Sequence, residues 1–255
     1  MRQCEPRAPA VTNELIFRGG ANLSAVWRPS AVKNTPRSSQ SPFRALSGWY
    51  VGCSVLSQIM VDHPDTPPVV VVIAASAGGL RALRTILAGL PKSFPAALVI
   101  VQHRSMGSML TSLLEKKSAL PVSNAVEGQT VEAGHVYVNR PDRHLTINAE
   151  HRFEYHGGQK IRHVLSSANP LFESSADVFG PGTIGVVLTG SDHDGTDGVQ
   201  AIKSGGGIVI AQDEATSEHF HMPASAISTG SVDYVLPLDD IAPALVRLVQ
   251  RREAH

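Results

Sequence analysis

The chain has 255 residues, 42% of them hydrophobic and 17% charged, with 22 Lys and Arg set against 22 Asp and Glu. That is enough apolar material for a single well-buried core, and one large domain is the simplest reading of the length. The balanced charge and an aromatic content of 5% give no basis for nucleic-acid binding or for attraction to an anionic membrane. The two cysteines, Cys4 and Cys53, allow neither a disulfide framework nor a thiolate metal cluster. No apolar run is long enough to span a bilayer, so direct membrane insertion is not expected. The N-terminus lacks the basic start, apolar stretch and small-residue site of a signal peptide, which predicts a cytoplasmic location.

Residues 1–66 read as a disordered or weakly ordered extension rich in Arg, Pro, Ser and Asn. Their segment 34–44, NTPRSSQSPFR, has linker composition. Ala45–Met60 is more apolar and suits a short docking helix or strand. Met60 stands just before the first convincing strand and is an alternative start of translation. The folded domain is expected over residues 67–251.

The first strand is VVVVIAA (69–75), a fully apolar, β-branched run of the kind buried on both faces. SAGG follows, then LRALRTILAGL (80–90) at helical spacing. AALVIVQ (96–102) is a second such strand, and MGSMLTSLLEKKS (106–118) a second amphipathic helix. HVYVNRPDRHLTIN (135–148) reads as a hairpin in which VYV and HLTI are joined by a turn at Arg140-Pro141-Asp142. HRFEYH (151–156) is a continuation of that meander. ANPLFESSADVFG (168–180) is helical and TIGVVLTG (183–190) a buried strand. Gly195 to Ser204 is a helix, GGIVIAQ (206–212) a strand, and Met222 to Ser228 a short helix. VDYVLP (232–237) is the last strand and Leu238 to Arg251 the last helix. Strands alternating with helices predict an α/β fold, doubly wound, with a mostly parallel sheet, helices on both faces and an antiparallel hairpin at one edge.

Open parallel sheets bind ligands beyond the carboxyl ends of their strands. Ser76 follows the first strand, His103 the second, and Ser191, Asp192, His193 and Asp194 the strand at 183–190. Asp213 and Glu214 follow 206–212, with His219 and His221 just beyond. A serine hydroxyl is a weak nucleophile until a base takes its proton, and an acid fixes the tautomer of a histidine base. A strand-to-helix turn projects the hydroxyl while helix-start amides face an oxyanion, and Gly78 and Gly79 allow close approach. Each residue also has a purely structural reading. Ser76 fits a helix N-cap, His103 an ordinary loop histidine, and Asp192, Asp194 and Asp197 loop or cap positions. His219 and His221 lack a carboxylate or Cys partner at a recognised spacing, so no metal is expected. The AASAGG turn lacks the glycine pattern of a dinucleotide site, since Ala74 and Ser76 occupy glycine positions, and no cofactor is expected. It also lacks the GxSxG elbow of common lipases.

IAASAGGLRAL (73–83), IVQHRS (100–105), VYVNRPDRHL (136–145), VVLTGSDHDGTDG (186–198) and AQDEATSEHFHMPASAI (211–227) run in one order at one spacing. Together they resemble the catalytic domain of the CheB family of chemotaxis protein-glutamate methylesterases. The resemblance implies hydrolysis of glutamate methyl esters on methyl-accepting chemotaxis receptors, with deamidation of receptor glutamines in many members. It implies Ser76 as nucleophile, His103 as base and Asp194 as orienting acid, with Ala77, Gly78 and Ser191 at the oxyanion and substrate-binding positions. The family's acid loop commonly reads TGMGxDG. Here Ser191 replaces its Met and Asp192 its Gly, which sets a second carboxylate beside the site. Typical members also carry a receiver domain, and this chain resembles the stand-alone ones. A CheB-like domain recruited to a different protein ester, or to binding alone, is the other reading, and an intact Ser-His-Asp set favours the enzyme.

Overall fold

The six apolar residues of β1 (Val70–Ala75) alternate between two cores. Val71, Ile73 and Ala75 enter one cluster and Val70, Val72 and Ala74 the other. A strand covered on both faces must be apolar without alternation, and burying each valine or isoleucine contributes about 1.5–3 kcal/mol. The computed structural model describes residues 68–103, 109–157 and 166–253. The 1–66 extension and its apolar segment Ala45–Met60 lie outside the described residues.

From β1 the chain enters α1 (Gly79–Ala88), which buries Ala82, Leu83, Ile86 and Leu87, one stripe at helical spacing. β2 (Ala97–Gln102) and α2 (Leu110–Glu115) follow, then β3 (Val122–Asn124) and β4 (Val136–Val138). A hairpin of β5 (His144–Ile147) and β6 (Phe153–His156) precedes α3 (Asn169–Phe179). A short 3-10 turn at Gly180–Gly182 leads to β7 (Thr183–Val187). The chain ends with α4 (Thr196–Ser204), β8 (Ile208–Gln212), α5 (His221–Ser228), β9 (Tyr234–Leu236) and α6 (Leu238–Glu253).

Seven strands form one parallel sheet in the order β3-β4-β2-β1-β7-β8-β9. Residues of α1, α2 and α6 fill one core cluster, while those of α3, α4, α5 and the hairpin fill the other. The doubly wound reading therefore holds, with one correction. VYV does not pair with HLTI. β4 lies in the parallel sheet between β3 and β2, and HLTI pairs antiparallel with residues 153–156 in a separate two-stranded sheet. The reason is burial: Val136 and Val138 join one core and Tyr137 the other, so β4 needs cover on both faces that a surface hairpin cannot give. β3, a three-residue edge strand, is an addition to the sequence reading. No helix among the described residues is long and apolar enough to cross a membrane.

Candidate active site

The register of β1 against β2 pairs Ala75 with Gln102, so the next residues, Ser76 and His103, leave adjacent strands side by side. The His103 N–H donates to Ala75 O at 3.1 Å, which fixes the start of its loop. β7 flanks β1 on the other side and delivers the 188–195 loop to the same edge. The three residues singled out from the sequence thus meet at one end of three neighbouring strands.

Ser76 is not a helix cap. The N-cap of α1 is Gly78, in a left-handed conformation (φ 77°), and no side chain caps that helix. The Ser76 backbone is held instead by donation to Thr189 O at 3.0 Å and by accepting from Gly79 N–H at 2.9 Å. Its hydroxyl makes no hydrogen bond among the described residues, and the side chain is only partly buried. Gly78 needs both its left-handed backbone and its missing Cβ, because a Cβ there would lie 2.8 Å from Glu218 Cβ. The amides of Ala77 and Gly78 are likewise without a partner among the described residues, next to the Ser76 hydroxyl. Ser191 is exposed on the neighbouring loop, between Gly190 and Asp192.

Asp194 is buried and its side chain has no exposure. One oxygen accepts from Ser167 Oγ, and the other from the Ala168 N–H and from His103 Nε2 at 2.8 Å. Ala168 is the N-cap of α3, so the carboxylate sits at the positive end of that helix, a placement worth up to about 2 kcal/mol when partly buried. A triad acid is usually met through Nδ1. Here the ring is turned the other way, with Asp194 on Nε2.

The other ring nitrogen is also taken. His103 Nδ1 lies 2.9 Å from Asp192 Oδ2, and Asp192 Oδ1 accepts the Asp194 N–H at 3.0 Å. Asp192 therefore bonds the histidine directly. The sequence placed a second carboxylate beside the site without placing it on the histidine. Burial pushes the His103 pKa down, but the hydrogen bonds and charges of Asp192 and Asp194 outweigh it and raise the value from 6.5 to about 9. For Asp192 burial acts upward, and the hydrogen bonds from His103 and from the Asp194 amide reverse it, so its carboxyl titrates below the usual range.

Several supporting residues lie inside the quoted segments, but their spacing assigns them no such role. Thr189 Oγ1 donates toward Ala77 O (2.9 Å) and His219 O (3.2 Å) and accepts the His219 N–H (2.8 Å). Its backbone N–H is held by the buried Gln212 at 3.0 Å. One hydroxyl thus ties the serine turn to the 213–220 loop. His219, weighed above as a metal ligand, contributes its backbone here, and its carbonyl also accepts from Gly190 N–H at 2.9 Å. Asn139, fully buried, accepts the Gln102 N–H at 3.1 Å just before His103. Ser167 leaves one clue, a serine shortly before the Asn-Pro start of a helix.

Gly190 carries a specific expectation. A Cβ there would overlap Met222 Sδ and approach Ser76 Cβ to 2.9 Å. Gly190→Ala is therefore expected to shift the serine turn and lower esterase turnover about 10²-fold while the protein stays folded. Steady-state rates beside circular dichroism check this, and near-normal turnover would show that the turn has slack.

The domain has known relatives in sequence and in structure. The sequence pattern of the CheB methylesterase family matches residues 71–245. A relative from Leptospira interrogans is 41% identical over 183 residues, which cover 71% of this chain and 94% of that protein. A Thermotoga maritima protein named protein-glutamate methylesterase/protein-glutamine glutaminase is 38% identical over 199 residues, covering 76% of this chain and 58% of its own. A Pyrococcus abyssi protein of the same name is 39% identical, covering 73% and 52%. This chain thus spans little more than half the length of the latter two. Among solved structures, the crystal structure of the Thermotoga maritima CheB methylesterase catalytic domain superposes with a TM-score of 0.70 at 39% identity. It covers 71% of this chain and 99% of that domain.

Proposed function

The chain belongs to the CheB methylesterase family, and on that premise we propose that it hydrolyses glutamate methyl esters on chemoreceptors, with Ser76, His103 and Asp194 as the catalytic set. Deamidation of receptor glutamines follows from the same chemistry, with ammonia in place of methanol. The observation that carries the reading is the meeting of Ser76, His103 and a fully buried Asp194 at the carboxyl ends of β1, β2 and β7.

Ser76 Oγ attacks the ester carbonyl carbon as His103 takes its proton. The oxyanion forms beside the Ala77 and Gly78 amides. Collapse expels methoxide, which receives that proton from His103 and leaves as methanol. Water, activated by the same imidazole, then cleaves the glutamyl-serine ester and regenerates Ser76. With Asp194 on Nε2, the nitrogen that serves Ser76 is Nδ1. Asp194 stabilises the imidazolium formed in both halves.

A fluorophosphonate, which forms a stable tetrahedral adduct with an activated serine, tests the assignment. Peptide mapping is expected to find the adduct on Ser76. An adduct on a different serine, with Ser76 unmodified, would contradict it.

Residues 1–66 are assigned no catalytic part, since their composition is too polar to bury a core. Removing residues 1–59 is expected to leave turnover within about threefold, because every proposed catalytic group lies beyond them. Acetyl phosphate is expected to leave the rate unchanged. Strong stimulation by that phosphodonor would assign a regulatory role to the extension.

A further inference from the structure

His103 lies between two carboxylates, Asp192 at 2.9 Å from Nδ1 and Asp194 at 2.8 Å from Nε2. A neutral imidazole carries one N–H, so it satisfies one of these oxygens and turns a lone pair toward the other. The doubly protonated ring satisfies both. The geometry therefore belongs to an imidazolium, and an imidazolium has no lone pair with which to accept the Ser76 proton. One carboxylate must leave before His103 works as a base.

The two differ in how firmly they are held. Asp194 is fully buried and fixed by Ser167, the Ala168 amide and His103. The Asp192 side chain is 33% exposed and has two partners, His103 and the Asp194 amide. Rotation of its side chain carries the carboxylate into water, whereas release of Asp194 would strand a charge in the core.

We propose that Asp192 is a positioning residue that withholds His103 from Ser76 by occupying Nδ1, and that turnover begins when its carboxylate swings away. Departure of Asp192 lets Nδ1 lose its proton to water. The Nε2–H stays on Asp194, and the freed Nδ1 lone pair becomes available to the Ser76 hydroxyl. The raised pKa of His103 agrees with this resting state. Among the described residues, the titratable groups acting on His103 are Asp192 and Asp194, and those acting on Asp192 are His103 and the neighbouring His193. Glu218 leans over Gly78 instead, with its carboxylate within reach of His219 at 3.9 Å.

The inference rests on the esterase reading, but its first test does not. Asp192→Asn keeps the shape and an oxygen for the Asp194 amide, and Asp192→Gly removes the side chain altogether. Nitrogen-15 NMR of histidine-labelled protein, with His103→Gln used to assign the signal, reads the ring charge directly. Wild-type His103 is expected to stay doubly protonated above neutral pH. In both variants its titration is expected to move down by about one unit or more, because loss of a negative partner destabilises the imidazolium. In Asp192→Gly, where no amide group faces Nδ1, the acid limb of kcat/KM for a small ester is expected to move with it, raising the rate at pH 7 about tenfold or more. A His103 titration that is neutral at pH 7 in the wild type, or unmoved in both variants, would overturn the proposal. Shifted titrations with no hydrolysis of any ester in any form would instead leave the clamp standing and remove the esterase reading.

Discussion

Ser76→Ala is expected to lower ester hydrolysis by about 10⁴-fold or more while leaving the fold and its thermal transition unchanged. The expectation follows from the way Ser76 is held. Its amide and carbonyl, not its hydroxyl, bind the serine turn to Thr189 and Gly79. Alanine keeps both backbone bonds and removes an oxygen that holds no other described residue in place. What is lost is the atom that forms the acyl intermediate, so residual rate comes only from binding and oxyanion stabilisation. Turnover by the variant at a tenth of the wild-type rate would mean that another group attacks the ester.

Asp194→Asn is expected to cost about 10³–10⁴-fold at every pH where the wild type is active. All three partners of this carboxylate donate to it: Ser167 Oγ, the Ala168 amide and His103. An amide of the same shape can keep two of these contacts through its oxygen and let the Ser167 hydroxyl accept, so the fold survives. In that orientation it does not carry the charge that balances a buried imidazolium, and in the flipped orientation its NH₂ meets Nε2 and selects the wrong tautomer. Asp192→Gly differs in kind. It moves the acid limb of the pH–rate profile downward and leaves the plateau, because it frees Nδ1 without touching Nε2. A pH–rate profile of both variants separates the roles. A dead Asp192 variant beside a merely shifted Asp194 variant would exchange the two assignments.

The strands that build the site were legible because parallel strands buried on both faces leave an unambiguous mark. VVVIAA, ALVIVQ, TIGVV and IVIAQ are apolar at nearly every position, and each lies in the central part of the sheet. Short strands carried less information. VYV and HLTI flank a proline-containing turn and look like partners, yet the three residues of β4 fill two cores at once, a fact of packing and not of local pattern. β3 contributes only Val122 to a core and has no periodicity to find.

The rule that chemistry follows strand ends puts Ser76, His103 and the 191–194 loop at one edge, and the family resemblance selects Asp194 within that loop. The neighbours that set their properties could not be placed in this way. Ser167 lies 27 residues before Asp194 and reaches it only because α3 begins beside the acid loop. Asp192 reads in sequence as a second carboxylate beside the site, with no sign of the atom it faces. The turn closed by its own Oδ1 on the Asp194 amide brings its second oxygen onto the histidine. Spacing gives order along the chain but not which side of an imidazole a carboxylate faces.

The most direct test of the account is methanol release from receptor-bearing membranes whose glutamates carry labelled methyl esters, measured across the neutral to alkaline range with wild type and Ser76→Ala side by side. The account predicts labelled methanol from the wild type, rising with pH as His103 loses its second proton, and none above the blank from Ser76→Ala. Release at equal rates from both proteins, or none from the wild type at any pH on membranes that an independent methylesterase does demethylate, would contradict it.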